Sequence, residues 1–422
     1  MTSRILIGAG VAVVALIVTL APTGRDHTVI AQGQGQGQGQ GQLPVFEVDA
    51  RFPQLPEKMM IGGVGGVAAD RAGNVWAIHR PHTLPESNAM LNGYTPAPPV
   101  IQWDRNGRYL RGWGGYSPAK EYEWFNRGGL HRSKFAECPG CGTQVRGNGD
   151  RRPGSGEHGI YIDYQDNVWL TGNGAGDGQI LKFTKEGKFL LQIGKGGRVG
   201  PPLKPGGNPE DLVDSNDTQN VAQATTVAVH PKTNEVFVAD GYGNRRIIVF
   251  DATTGAYKRH WGAYGARPDD KAPNARQTTG PPTQQFNTVH GVTIGPDDTV
   301  YVADRANNRI QAFTLQGKFL REGFNRRESQ GTGSAFGVVV SPDNRFVYVA
   351  DGSNERVAIM DRATLQVIGA VGRPGSGAGE FYHLHSIAID PQGNIITGES
   401  QGYRVQRFLY KGLTTRSGNA TR

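Results

Sequence analysis

Apolar and polar positions repeat in the same order along most of this chain. Each unit opens on a Gly-Val-type strand start and turns through Asp, Asn or Gly. An aromatic-aliphatic run follows, then a polar turn, a third run ending in Phe or Trp, and a Gly-rich exit. The pattern reads GGVAADRAGNVWAIHR from Gly65, HGIYIDYQDNVWLTG from His158 and TTVAVHPKTNEVFVADGYGNRRIIVF from Thr225. It returns as HGVTIGPDDTVYVADRANNRIQAF from His290, FGVVVSPDNRFVYVADGSNERVAIM from Phe336 and HSIAIDPQGNIITGESQGYRVQRF from His385. Alternation with a period of two predicts half-buried strands, and the Asp/Asn/Gly clusters predict hairpin turns.

Six such copies predict an all-β, six-bladed β-propeller, because ring closure leaves no terminal unit in need of a cap. The last copy lacks the fourth strand that others finish with, as in GKFLLQIG or GKFLREG. The run VFEVDARF from Val45 is a spare strand at the other end of the chain, expected to complete the last blade and close the ring. The repeated Asp240 with Arg246, Asp304 with Arg309 and Asp351 with Arg356 are expected to be ion pairs within blades, since one catalytic site needs no three copies.

Composition fits this architecture: 62 Gly and 25 Pro among 422 residues imply many turns. The net charge of +8 is spread among nearly as many acids, so no nucleic-acid footprint is expected. Arg4 followed by the apolar run Ile5 to Leu20 predicts a signal peptide or signal anchor over residues 1–31, with cleavage after Ala21 or Ala31. That makes the protein exported, periplasmic or secreted, with membrane attachment only if the signal stays uncleaved. The Gly-Gln alternation of residues 32–43 reads as a linker, residues 44–412 as the propeller and 413–422 as a disordered tail.

Candidate chemistry lies at the residue that opens each innermost strand. In chain order it is Gly65, His158, Thr225, His290, Phe336 and His385, so histidine occupies blades two, four and six. Alternate blades of a six-fold ring are related by about a third of a turn, so the three imidazoles should converge on the central channel. Three nitrogen donors with an open fourth position describe a catalytic zinc site.

With these motifs the sequence resembles the peptidyl-α-hydroxyglycine α-amidating lyases, NHL-type propellers. The likeness runs from about Gly62 to Phe408 and is sharpest in VAVHPKTNEVFVADGYGNRRIIVFD and VHGVTIGPDDTVYVADRANNRIQAF. It implies a carbon-nitrogen lyase that splits a carbinolamide into a primary amide and glyoxylate, acting on a small-molecule or peptide substrate with a carboxylate. His158, His290 and His385 match the zinc ligands, Tyr242 the base, and Arg80 an arginine beside that tyrosine and the substrate carboxylate. A guanidinium next to a phenol balances phenolate charge, and its fork suits a carboxylate. Val67 and Ile160 match positions whose carbonyls hold a structural calcium.

Three positions depart from the family pattern. Gly243 replaces a cysteine, Ser386 replaces the aspartate that ligates calcium, and His383 replaces a methionine, becoming a rival ligand or a substrate contact. The stretch from Gly115 to Gly156 is long for a blade connection, and its Trp124, Phe125 and Phe135 are candidates to cover a channel mouth. It carries Cys138 and Cys141, the only cysteines. In an oxidising compartment these are expected to form a small disulfide; no His follows that would make a haem site. Two other readings remain open here: a non-enzymatic NHL propeller that binds protein or ligand, and a metal-dependent hydrolase or lactonase on the same scaffold.

Overall fold

The computed structural model describes residues 28–30, 42–84, 93–125, 156–174, 176–196, 213–273 and 275–415. Six antiparallel sheets, four-stranded in five cases, follow one another along the chain as the blades of a β-propeller. The innermost strands are Gly63–Ala69, Glu157–Ile162, Ala224–His230, Val289–Ile294, Gly337–Val340 and Leu384–Ile389. Together they wall a central cavity of about 550 Å³ that reaches from the three histidines to Asp70, Asp163, Asp298 and Asp390.

The ring closes as the missing strand requires. Blade six takes Leu384–Ile389, Ile395–Glu399 and Arg404–Thr415 from the end of the chain, and Gln42–Val48 from its beginning. Phe46 pairs with Tyr410 and Val48 with Phe408. Phe46 is fully buried and meets Tyr348 of blade five edge-on at 5.9 Å, so the closing strand also joins two blades. Thr28–Ile30 adds a further strand outside it, pairing with Val45 to Glu47. The closing strand therefore starts two residues before the expected start at 44, and the last strand runs, at Thr415, past the expected end at 412.

Burial differs from the half-buried pattern read from alternation. The second and third strands of the blades, such as Glu235–Asp240 and Arg309–Phe313, are buried on almost every residue. A propeller blade is packed face to face with a blade on each side, so both faces of its middle strands lie in a core. The interface of blades two and three shows this, with Val227, Val229 and Val236 packed on Trp169 and Ile180. Only outermost strands show water one face, as at Leu110, Leu190 and Leu320.

The repeated Asp–Arg couples are ion pairs within blades: Asp240–Arg246 at 2.9 Å, Asp304–Arg309 at 2.8 Å and Asp351–Arg356 at 3.0 Å. Glu399–Arg404 at 2.6 Å gives blade six the same device. The acid also receives backbone N–H groups of the loop that leads into the innermost strand, from Ala222 to Asp240 and from Asn287 to Asp304. A buried pair with its remaining oxygen satisfied fixes that loop without leaving a charge unpaired.

Removing the closing contact should be costly. Phe46→Ala should destabilise the ring by about 3–5 kcal/mol through the cavity it leaves, read as a lowered denaturation midpoint. Leu110→Ala, on an exposed outer strand, should stay within about 0.5 kcal/mol of wild type.

Candidate metal centre

Strand register explains how the three histidines reach the channel. Val289 pairs with Asp304 and Gly291 with Ala303, leaving His290 as the extra residue of a β-bulge. His158 and His385 are skipped in the same way, as are Gly65 and Thr225. A bulge bends the strand and re-aims the side chain of its extra residue. In these blades it turns that residue away from the interface between blades and toward the axis.

The imidazole centroids lie 4.8, 4.8 and 4.9 Å apart, and one nitrogen from each ring falls within 4.8 Å of the others. Among the described residues this is the one cluster of three such groups able to hold a metal ion. Each Nδ1 meets the backbone carbonyl of the residue at the same register on the next blade. His158 meets Thr225 at 2.7 Å, His290 meets Phe336 at 2.6 Å and His385 meets Gly65 at 2.8 Å. A carbonyl only accepts, so Nδ1 carries the hydrogen and Nε2 keeps its lone pair for the axis. Burial holds all three imidazoles well below the ordinary histidine pKa. The Arg80 charge adds to this at His158 and His385, and that of Arg305 at His290.

A second register supplies groups around the triad. The residue that closes the second strand in blade one, and follows it in the other five, is Arg80, Asn173, Gly241, Arg305, Gly352 and Ser400 in blade order. Arg80 is buried, donating from Nε to the Glu157 carbonyl at 2.8 Å and from Nη2 to Asn173 at 3.3 Å. Tyr242, next to Gly241, places its hydroxyl 3.3 Å from His158 Nε2 and 3.1 Å from His290 Nε2. The arginine that donates to this hydroxyl, at 3.0 Å, is Arg305, which also lies over the Tyr242 ring at 5.2 Å and the Phe336 ring at 4.8 Å. Arg80 remains within electrostatic reach of Tyr242. Sequence reasoning passed over Arg305 although a signal was present: two VAD copies continue with Gly, and blade four reads VADR.

The remaining expected residues are placed as follows. His383 stands beside the triad without joining it, its ring nearly parallel to that of His385 at 6.2 Å. Val67 and Ile160 are buried on innermost strands. They do not fit calcium: Ser386 offers a neutral hydroxyl, buried without a hydrogen-bond partner among the described residues. The channel's carboxylates stand at its far mouth, where Asp70, Asp163 and Asp390 accept the N–H groups of their own turns. A dication held by neutral oxygens alone in an aliphatic channel lacks the charge that calcium sites supply. Trp124 and Phe125 do not cover a mouth; they are buried between blades one and two with Trp76 and Leu170, and Trp124 Nε1 donates to Glu157 Oε1 at 2.7 Å. Cys138, Cys141, their expected disulfide and Phe135 lie outside the described residues, as does nearly all of the expected signal segment.

Comparison with known proteins adds to this geometry. The NHL repeat matches residues 286–313, which carry His290 and Arg305. Peptidylglycine alpha-amidating monooxygenase of Rattus norvegicus is 33% identical over 170 residues, 39% of this chain and 14% of that protein. Peptidyl-alpha-hydroxyglycine alpha-amidating lyase 1 of Drosophila melanogaster is 24% identical over 369 residues, 84% of this chain and 58% of that protein. The chain is similar to the amidating lyases. Its match spans less than two thirds of either relative's length. A solved structure described as a streptogramin B lyase aligns over 87% of this chain and 98% of its own, with 12% identity and a TM-score of 0.46.

The imidazole environment has a measurable consequence in metal-free protein. Below about pH 6.5 the unfolded chain takes up protons that the folded triad refuses, so stability falls as pH falls, by up to about 1.4 kcal/mol per pH unit for each histidine. Denaturation midpoints between pH 7.5 and 5.5 should show this, with a shallower dependence in His290→Gln. An unchanged slope in that variant would mean the rings are not held neutral.

Proposed function

We propose that this protein is a zinc-dependent lyase that cleaves the C–N bond of a peptidyl- or N-acyl-α-hydroxyglycine, releasing a primary amide and glyoxylate. The observation that carries the reading is the Tyr242 hydroxyl, set against two Nε2 atoms of the triad and hydrogen-bonded by Arg305. The name of the relative from fly supports the same activity.

The donor set fits zinc: three neutral imidazoles, each oriented through Nδ1 by a carbonyl, leave one position open. Zinc held by these imidazoles would supply Lewis acidity toward the substrate hydroxyl. Tyr242 as phenolate accepts the hydroxyl proton, and the Arg305 guanidinium balances the charge its oxygen carries beforehand. The former O–H electron pair becomes the carbonyl of glyoxylate, while the C–N pair leaves with the amide nitrogen. A proton returned from Tyr242 to that nitrogen completes the primary amide and restores the phenolate.

Arg80 and Arg305 form no salt bridge among the described residues, so both have charge to offer a substrate carboxylate. A guanidinium binds such a group through two parallel N–H donors. Arg80 is the better placed for a fixed grip, since Glu157 and Asn173 already hold its Nε and Nη2.

The decisive assay is glyoxylate release from an N-acyl-α-hydroxyglycine, with metal analysis of the same preparation. Activity should vanish with a chelator and return with zinc. Tyr242→Phe should keep the metal and lower turnover about 10²–10⁴-fold. Arg305→Lys should also lower it, because a point charge does not reproduce the planar fork. Protein without bound metal, or turnover unaffected by chelation, would defeat the lyase reading and leave a binding propeller.

A further inference from the structure

His383 stands two residues before the third histidine of the triad, in a backbone conformation that few residues other than glycine adopt, with φ at 58°. Three hydrogen bonds hold it there. The Glu355 carboxylate accepts the backbone N–H of His383 at 2.8 Å and of Leu384 at 2.9 Å, and Ser400 N–H donates to the His383 carbonyl at 3.2 Å. The ring is fixed as firmly. Its Nδ1 lies 2.7 Å from Ser400 Oγ, its plane is 19° from that of His385, and Phe336 meets it edge-on at 5.7 Å.

Only one polar atom of this side chain is left uncommitted. Nε2 makes no hydrogen bond to a described residue, and the half-buried ring lies within electrostatic reach of Arg80 and Arg305. The same backbone conformation recurs at Gln223 and Thr288, two residues before the corresponding bulge positions of blades three and four, so it belongs to the turn that opens the strand; what sets His383 apart is its ring. A ring pinned at one nitrogen and open at the other is the arrangement of a preorganised ligand contact.

Position around the axis says which part of a ligand it meets. Arg80, Tyr242 and Arg305 come from blades one, three and four, and take the carboxylate and hydroxyl of the substrate in the reading above. The arc of blades five and six, walled by Phe336 and His383, is left for the acyl side. We propose that His383 is a specificity-determining contact that hydrogen-bonds this acyl side through Nε2, favouring substrates with an amide group beyond the acyl carbon over those with an aliphatic chain. The proposal rests on the lyase reading of the site. Either tautomer serves, because an amide presents both a donor and an acceptor.

The test compares N-acetylglycyl-α-hydroxyglycine with N-pentanoyl-α-hydroxyglycine, whose acyl chains are equally long. In wild type the kcat/KM ratio should favour the first. His383→Met should reduce that ratio about three- to tenfold, the loss of one neutral hydrogen bond, with the change in KM rather than kcat. His383→Gln, which keeps a hydrogen-bonding end, should restore part of it, and both variants should retain the metal content of wild type. An unchanged ratio, or loss of metal in His383→Met, would overturn the proposal. If wild type releases glyoxylate from neither compound, the lyase reading fails by itself. Calorimetric binding of the unreactive acetylglycylglycine and N-pentanoylglycine then decides for His383: the same shift in preference supports the contact, and no shift overturns it.

Discussion

The hydrogen bond from each triad Nδ1 to a carbonyl of the next blade is the contact on which the site depends. It fixes the tautomer, aims Nε2 and ties a blade that carries a ligand to a blade that does not. Because the acceptor always lies on the following blade, no ligand is oriented by its own sheet. The third bond reaches from His385 to Gly65 across 320 residues of sequence. It exists only when the last blade stands against the first, which the strand around Phe46 secures by completing blade six. Ring closure and metal geometry are therefore one condition, and a defect in the closing strand will reach the triad before it reaches the middle blades.

Alternation then divides the labour among six similar units. Even-numbered blades supply imidazoles at the bulge, and odd-numbered blades supply the carbonyls that orient them. The odd side chains at the same register are Gly65, Thr225 and Phe336, and the Phe336 ring meets that of His290 edge-on at 5.2 Å. A second ring of positions, at the ends of the second strands, adds Arg80 and Arg305, with Asn173 and Ser400 as their neighbours' supports. Two registers of one repeat thus hold almost everything chemical in the channel mouth, and the rest of each blade is free to serve packing.

Much of this was legible in the sequence because it repeats. Strand number, ring closure, the ion pairs and the three histidines all follow from aligning copies, and a register shared by six copies is hard to misplace. What stayed hidden was local to one copy or set by neighbours. Arg305 sits inside a motif whose Asp and Arg are structural, so its own departure from Gly at that position was absorbed into the repeat. Two-sided burial of the middle strands is a property of blades stacked in a ring, and the runs VFVAD and RVAIM already read as continuous rather than alternating. Trp124 and Phe125 look like exposed loop aromatics in a line of text, yet a crevice between blades one and two takes them both. Bulges leave no mark in the composition of a strand, although each one decides where an imidazole points.

Charge is what makes so crowded a mouth functional. Burial lowers the pKa of Arg80, since removing a guanidinium from water disfavours its charged form, and the phenol of Tyr242 and the Glu157 carboxylate act against that loss. Its fixed partners, a carbonyl and an amide oxygen, are neutral acceptors that satisfy hydrogen bonds without cancelling the charge. Neutral imidazoles cancel none of it either. Among the described residues one arginine is buried and a second half-buried without a salt bridge to either, which makes a standing positive potential maintained by blade packing rather than by local pairing. An anion entering that space finds donors already oriented and already stripped of water, so its binding requires little further reorganisation. On the lyase reading, a preference for a carboxylate-bearing substrate would come from the whole ring, which holds both arginines without a salt bridge among the described residues.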